Sequence, residues 1–305
     1  MDAAVTDLEE RIPLESPVSR NTVWRRFRKH KVALAAAIVL AIMALFAAVG
    51  HYFYPVDPNA IDNVNWTGYP VAMGVGGHPL GTDESGRDLL ARLMAGAQIS
   101  LTLALFTVIM QIVIGSVLGA LAGYYGGWID FAIMRFTDVV ISIPLLPLLL
   151  VLTAIVSATS NKASLSFFVI VVLIAGLTWT TAARLVRASF LSLREREFAE
   201  AARAIGGGDM RIIFRHLLPN AVAPIIVQAT LSVASVILTE STLSFLGFGI
   251  QAPQASWGNM LANAQSNIAI APHVAIFPGL CILITSLAIN YLGDGLRDAI
   301  DPNQR

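Results

Sequence analysis

Long uncharged stretches alternate along the chain with short polar ones. Six stretches are apolar over roughly the 20 residues a membrane-crossing helix requires. They cover about 32–54, 98–123, 130–156, 165–187, 221–247 and 273–292. Between the second and third stands "GYYGGW", a tight turn whose aromatics suit a membrane interface. Pro144 and Pro147 interrupt the third stretch and predict a kink there. The pattern predicts an all-α polytopic membrane protein of six transmembrane helices.

Composition agrees. Hydrophobic residues make up 56% of the 305 and charged residues only 13%, against about 25% charged in ordinary soluble domains. Mean hydropathy is +0.69. The uncharged run from Val32 to Gly50 outlasts a signal-peptide core of roughly 7–15 residues, so it reads as a retained first span. Cys281 is the single cysteine, which excludes an intrachain disulfide.

Basic residues set a direction. With the N-terminus inside, seventeen of the 20 Lys and Arg fall on the inner side; Arg87, Arg92 and Lys162 fall outside. This predicts N-in, C-in topology. The implied divisions are an inner tail at 1–31, a first span at 32–54 and an outer loop at 55–97. A core at 98–292 includes an inner loop at 188–220, and a second inner tail spans 293–305. In the first tail, "VSRNTVWRRFRKHK" sets Trp24 and Phe27 among cations. It reads as a short interfacial helix, or else as a disordered basic tail. In the outer loop, Ser85 to Met94 is predicted to form a short helix.

Several chemistries find no support in the sequence. A phosphate-binding loop of the Walker type needs a lysine after glycine; Lys29, Lys31 and Lys162 are the only lysines, and none follows one. HExxH, CxxC and GxSxG are absent and the five histidines are scattered, so no metal, cofactor or enzymatic activity is expected in this chain. Asp83, Glu84, Arg87 and Asp88 read as local turn and cap partners. Ion-coupled transport places charges deep in several spans; here spans one, two, four and six have none in their cores. Glu240 is the exception. Twenty residues of helix beyond Asn220 rise about 30 Å, which puts it near the outer mouth. It is expected either to hold an outer gate by hydrogen bonding or to touch the transported ligand.

Between the fourth and fifth stretches, on the inner side, lies a charged, alanine-rich island, "EFAEAARAIGGGDMRIIFRHLLPN", residues 197–220. Glu197 to Ile205 are good helix formers, and Phe198, Ala201, Ala202 and Ile205 share one thin apolar face. Gly206 should end that helix. Asp209 is placed to cap a second helix over Met210 to Leu218, Pro219 to end it, and Asn220 to cap the fifth span. A plain basic loop would account for the arginines alone. A docking element for an inner-side partner also accounts for the alanines, the glycines and the proline.

At these residues the chain resembles the binding-protein-dependent ABC importer permeases. Their signature reads here as Glu200, Ala201, Ala202, Gly206, Leu218 and Pro219, with His216 standing where isoleucine is frequent. "HPLGTDESGRDLLARLMAGAQISL", "STLSFLGFGIQAPQASWGNML" and "LGDGLRDAIDP" are similar to the C-type subunit of the dipeptide, oligopeptide and nickel branch, although Gln98 replaces a frequent arginine. The resemblance implies a type I importer permease of MetI-like fold in a bacterial inner membrane. It implies a sister permease forming a heterodimeric pathway, two cytoplasmic ATPases holding ATP and magnesium, an extracytoplasmic solute-binding protein, and no nucleic acid. The island helix would be the coupling helix, with Phe198, Glu200, Ala201, Ala202, Ile205, Gly206, Leu218 and Pro219 as its ATPase-contacting set. Di- or oligopeptides are the implied cargo, with glutathione, nickel chelates or sugars as alternatives. From a different class, a secondary transporter or channel needing no motor is the competing reading.

Overall fold

The computed structural model describes residues 20–159 and 167–300. Residues 1–19 and 301–305 of the two predicted tails, and the segment containing Lys162, lie outside them. The described chain is helical: α1 Arg20–Lys29, α2 Lys31–Phe53, α3 Leu89–Tyr125, α4 Gly127–Ser142, α5 Leu145–Thr159, α6 Phe167–Leu193, α7 Glu197–Ala204, α8 Asp209–Phe245, α9 Trp257–Ala264 and α10 His273–Ile300. Among the described residues there is no strand, only two isolated bridges in the 54–88 loop. Five helices are long and apolar enough to cross a bilayer, and a sixth crossing exists if α4 and α5 count as one.

That pair departs from the expected kink: α4 and α5 meet at 86°. Ile143, just before Pro144, is extended at φ −92° and ψ 128°, the conformation a following proline imposes. Pro147 falls in the first turn of α5, where its missing N–H costs nothing.

The second span also differs from expectation. The outer short helix and span two are one 37-residue helix, α3. Asp88 starts it, its side chain accepting from Ala91 N at 2.8 Å, and no breaker follows before Tyr125. Arg92 rides within it, buried, with Nε 3.0 Å from Asp83 Oδ2 in an ion pair too bent to be a hydrogen bond.

The core forms around α3 and α6. Gly115, Gly119 and Gly123 recur every fourth residue on α3. A methyl at Gly115 would overlap Ala182, at Gly119 the Ala183 carbonyl, and at Gly123 Phe190. Small residues let the two backbones approach, and that contact drives helix association where lipid removes the hydrophobic difference. The other side of α3 presents Leu105, Ile109, Val113 and Val117 outward, again every fourth residue. Apolar side chains facing out and small ones facing in is the arrangement of a helix solvated by lipid or by a neighbouring chain.

Contacts define two ends of the bundle. At one, Tyr54 beyond α2 donates to Asp88 at the start of α3 at 2.8 Å. At the other, Arg194 after α6 donates to the carbonyls of Gly123 and Tyr124 near the end of α3, at 3.1 and 3.3 Å. The α7 hairpin sits at this second end. The last turns of α10 lie there too, Gly295 packing on Ala33 at the start of α2.

Candidate functional site

The hairpin is built by helix breakers and held by a clamp. α7 stops at Gly206, which adopts φ +80°, a conformation that costs a side-chain-bearing residue about 1–2 kcal/mol. Gly206 N and Gly207 N donate back to Arg203 O and Ala202 O at 2.9 and 3.0 Å, satisfying carbonyls the helix end would orphan. Arg203 Nη2 donates to Arg194 O at 2.9 Å, fastening α7 to the turn before it. The Tyr124 hydroxyl at the end of α3 donates to Asp209 at 2.8 Å. The hairpin is thereby tied to both α3 and α6.

Three expectations about its second half fail. The N-cap of α8 is Gly208; Asp209 is the first helical residue and makes no cap bond. Its carboxylate instead receives Tyr124. Nor does Pro219 end a helix. Residues Ile212–Leu217 form a wide turn with i to i+5 bonds, and the chain runs on as α8 through Pro219 to Phe245. The wide turn stops just before Pro219, whose ring would strike the carbonyl four residues back in a regular helix. Asn220 therefore caps nothing; its side chain donates to His216 O at 2.6 Å. Such π turns inside helices are frequent at functional sites.

The structure divides the predicted apolar face of α7. Ala199 and Ala202 point inward, at 0% and 6% exposure, against Ile212, Ile213, Leu217, Val186 and Phe190. Ala202 is thus covered by its own chain and does not share the outer face. Leu218 is half-buried beside the same cluster, and Pro219 is exposed. Phe198, Glu200, Ala201 and Ile205 face out, Phe198 at 38% and Ile205 at 87%. Met210 and Phe214 on α8 are exposed apolar side chains of the same hairpin. The expected face omitted Ala199, so it lay one position out of register with the buried one. Sequence reasoning also missed the Tyr124–Asp209 tie, which joins residues 85 positions apart.

Glu240 belongs to the opposite end and is wholly buried. Ser244 Oγ donates to it at 2.7 Å, and Ser100 Oγ from α3 lies at 3.5 Å. Ser100 accepts from Trp257 N at 3.3 Å, and Ser244 accepts from Ile250 N at 3.0 Å. Ser256 and Asn259 close a reciprocal cap on α9. The acid is the hub of a hydroxyl network joining α3, α8 and α9. Gln98 reaches across from α3 to Ala47 O on α2 at 2.6 Å.

The 54–88 loop at that end is equally self-contained. His78 Nδ1 lies 2.7 Å from Asp88 and Nε2 3.0 Å from Asp62. Burial lowers its pKa, but the hydrogen bonds to Asp88 and Asp62 outweigh that and raise it overall. Asp83 accepts from Ser85 N, Arg87 N and Arg87 Nε, which bears out the turn-and-cap reading of this acidic cluster.

Known proteins match the chain along most of its length. The family described as "binding-protein-dependent transport system inner membrane component" matches residues 115–305. The "N-terminal TM domain of oligopeptide transport permease C" matches 20–67. The glutathione transport system permease protein GsiD of Pectobacterium atrosepticum is 42% identical, over 92% of this chain and 89% of that protein. The oligopeptide transport system permease protein OppC of Haemophilus influenzae is 36% identical over 99% and 94%. Among solved structures, the inward-facing MetNI methionine ABC transporter aligns with a TM-score of 0.52 at 20% identity, over 68% of this chain and 95% of that one. That likeness bears on fold alone.

Proposed function

The chain belongs to the family of binding-protein-dependent transport system inner membrane components, and on that premise we propose that the α7 hairpin is where an ABC importer permease receives force from a cytoplasmic ATPase. The protein is a multi-pass inner-membrane permease of the peptide-transport branch. In this reading a sister permease completes the pathway, one ATPase docks on each permease, and a solute-binding protein delivers cargo to the 54–88 end. The hairpin end then faces the cytoplasm, as the distribution of basic residues favours.

One observation carries the proposal: Phe198, Ile205, Met210 and Phe214 stand exposed on a short, tied, polar-flanked hairpin. Burying a side chain such as Ile205 or Phe198 in a partner's cleft stabilises the contact by about 1.5–3 kcal/mol each. Ala201 between them leaves room for close approach, and Glu200 offers the partner a charge-assisted hydrogen bond. The inward anchors, Ala199 and Ala202, pass displacement into α8, and the ties from Tyr124 and Arg194 pass it into α3. A push at α7 therefore reaches two spans at once, with the wide turn before Pro219 as the joint.

The cargo proposed is peptide-sized, from glutathione to oligopeptides, because the named relatives transport these. Mass spectrometry of the ligand held by the cognate binding protein tests that point. Reconstitution tests the motor. Transport in vesicles should need ATP and the ATPase subunits, and the chain alone should move nothing uphill. Nucleotide-independent accumulation by the chain alone would favour a motorless transporter instead.

A further inference from the structure

The hairpin end of the bundle also holds a cationic cleft. α1 and the last turn of α10 enclose about 430 Å³ lined by Arg25, Arg26, Lys29, His30, Gly295 and Asp298. Its floor is firm: Phe27 is buried with Ala33 and Ala299, and Ala33 packs so closely on Gly295 that a methyl there would overlap it. Among the described lining residues, three permanent cations stand against one carboxylate, Asp298, which lies 3.7 Å from His30 Nε2. Arginine's planar fork matches phosphate oxygens, and basic clefts at the membrane surface attract anionic headgroups.

The surroundings separate a lipid from a free anion. Trp24 stands 61% exposed beside the cleft, its ring stacked 6.0 Å from Phe27, as an interfacial tryptophan does. One turn past His30, Leu34 begins an exposed stripe on α2 that continues through Ile38, Ile42 and Leu45. Leu34 N donates to His30 O, so stripe and cleft are joined by a single helical turn. A ligand with an anionic head and long apolar chains fits both features, whereas inorganic phosphate uses only the first. We propose that this cleft binds the phosphodiester headgroup of an anionic phospholipid, whose acyl chains lie along the Leu34–Leu45 stripe. The site is independent of what the α7 hairpin docks against.

The test uses the whole assembled transporter. After exchange into phosphatidylcholine doped with phosphatidylglycerol, native mass spectrometry counts the phosphatidylglycerol retained. Retention is expected to exceed that of phosphatidylcholine and to fall about tenfold or more in R25Q/K29Q, each basic residue near the surface contributing to headgroup attraction. D298N, which removes the only acid among the described lining residues, should raise retention and keeps the test available if the double variant fails to assemble. R135Q removes a cation outside the cleft and should change nothing. The proposal is overturned if R25Q/K29Q and D298N both retain lipid like the parent. It is overturned equally if inorganic phosphate displaces the lipid at matched concentration, or if a photocrosslinker at position 25 captures a protein chain rather than lipid.

Discussion

The two ends of this bundle satisfy themselves in opposite ways. At the 54–88 end, polar groups are buried and answered within the chain: Asp83 with Arg87, Asp88 and Asp62 with His78, Glu240 with its serines. At the hairpin end the polar groups make the ties, while large apolar side chains stand outside: Ile205, Met210 and Phe214 are all more than half exposed. An isolated exposed leucine or isoleucine on a protein surface means little. Four exposed apolar side chains within residues 198–214, on one short charged hairpin, point to an interaction surface. The 54–88 loop also exposes Val64, Tyr69 and Met73, so what separates the closed end from the open one is its buried polar network.

The largest expected effect comes from the open end. F198A/I205A removes two apolar anchors, each contributing about 1.5–3 kcal/mol when buried. ATPase binding to the permease pair should weaken by about a hundredfold or more, with membrane insertion unchanged. Co-purification from membranes and ATPase stimulation in vesicles measure this. Parental values for both would place the docking surface elsewhere.

At the closed end, E240L deprives buried hydroxyls of their acceptor, at about 1–3 kcal/mol for each group left unsatisfied. It should lower the melting temperature of the detergent-solubilised protein clearly. E240Q keeps an acceptor and should lower it little, with transport near the parental rate. If E240Q transports poorly yet melts normally, the residue serves the cargo and not the scaffold.

Smaller still is G206A, which forces alanine into φ +80° at about 1–2 kcal/mol. No neighbouring atom obstructs the new methyl, so the cost is conformational and confined to the hairpin. Hydrogen exchange should quicken over 197–217 and remain unchanged over 54–88.

The smallest effect is one of pH. His78 has a raised pKa in the folded loop, so its contribution is complete below the ordinary histidine value and fades as pH rises through the folded one. Limited proteolysis of the 54–88 loop should quicken modestly from about pH 6 to about pH 9, and H78N should flatten the profile. Asp62 runs the other way. Hydrogen bonds from Asn65 and then His78 hold its carboxyl below the usual range, so its contribution is lost only as pH falls through that lowered value.

The closed end and the spans were largely legible in the chain, because hydrophobic runs and caps are local signals. The capping role read for Asp88 is of this kind. The true extent of α3 was hidden by Arg92, a charge that looks unfit for a long apolar helix until Asp83 is placed beside it. The hairpin was legible as an element but not in its orientation. Alanines carry too little apolar area for periodicity to decide between Ala199 and Ala201 as the partner of Ala202 on the buried side. The wide turn at Ile212–Leu217 has no local signature, since its residues suit an ordinary helix and only the following proline disfavours one. The Tyr124–Asp209 tie depends on helices far apart in sequence, which periodicity does not report.

Site-directed crosslinking addresses the open end most directly. Cys281 is replaced by serine, and a single cysteine is placed at position 205 in the assembled transporter. A short bifunctional crosslinker should join this chain to an ATPase subunit, and a bulky maleimide at the same position should abolish ATP-driven uptake. Full uptake by the maleimide-labelled transporter, with no crosslink to any ATPase, would contradict the role proposed for the hairpin.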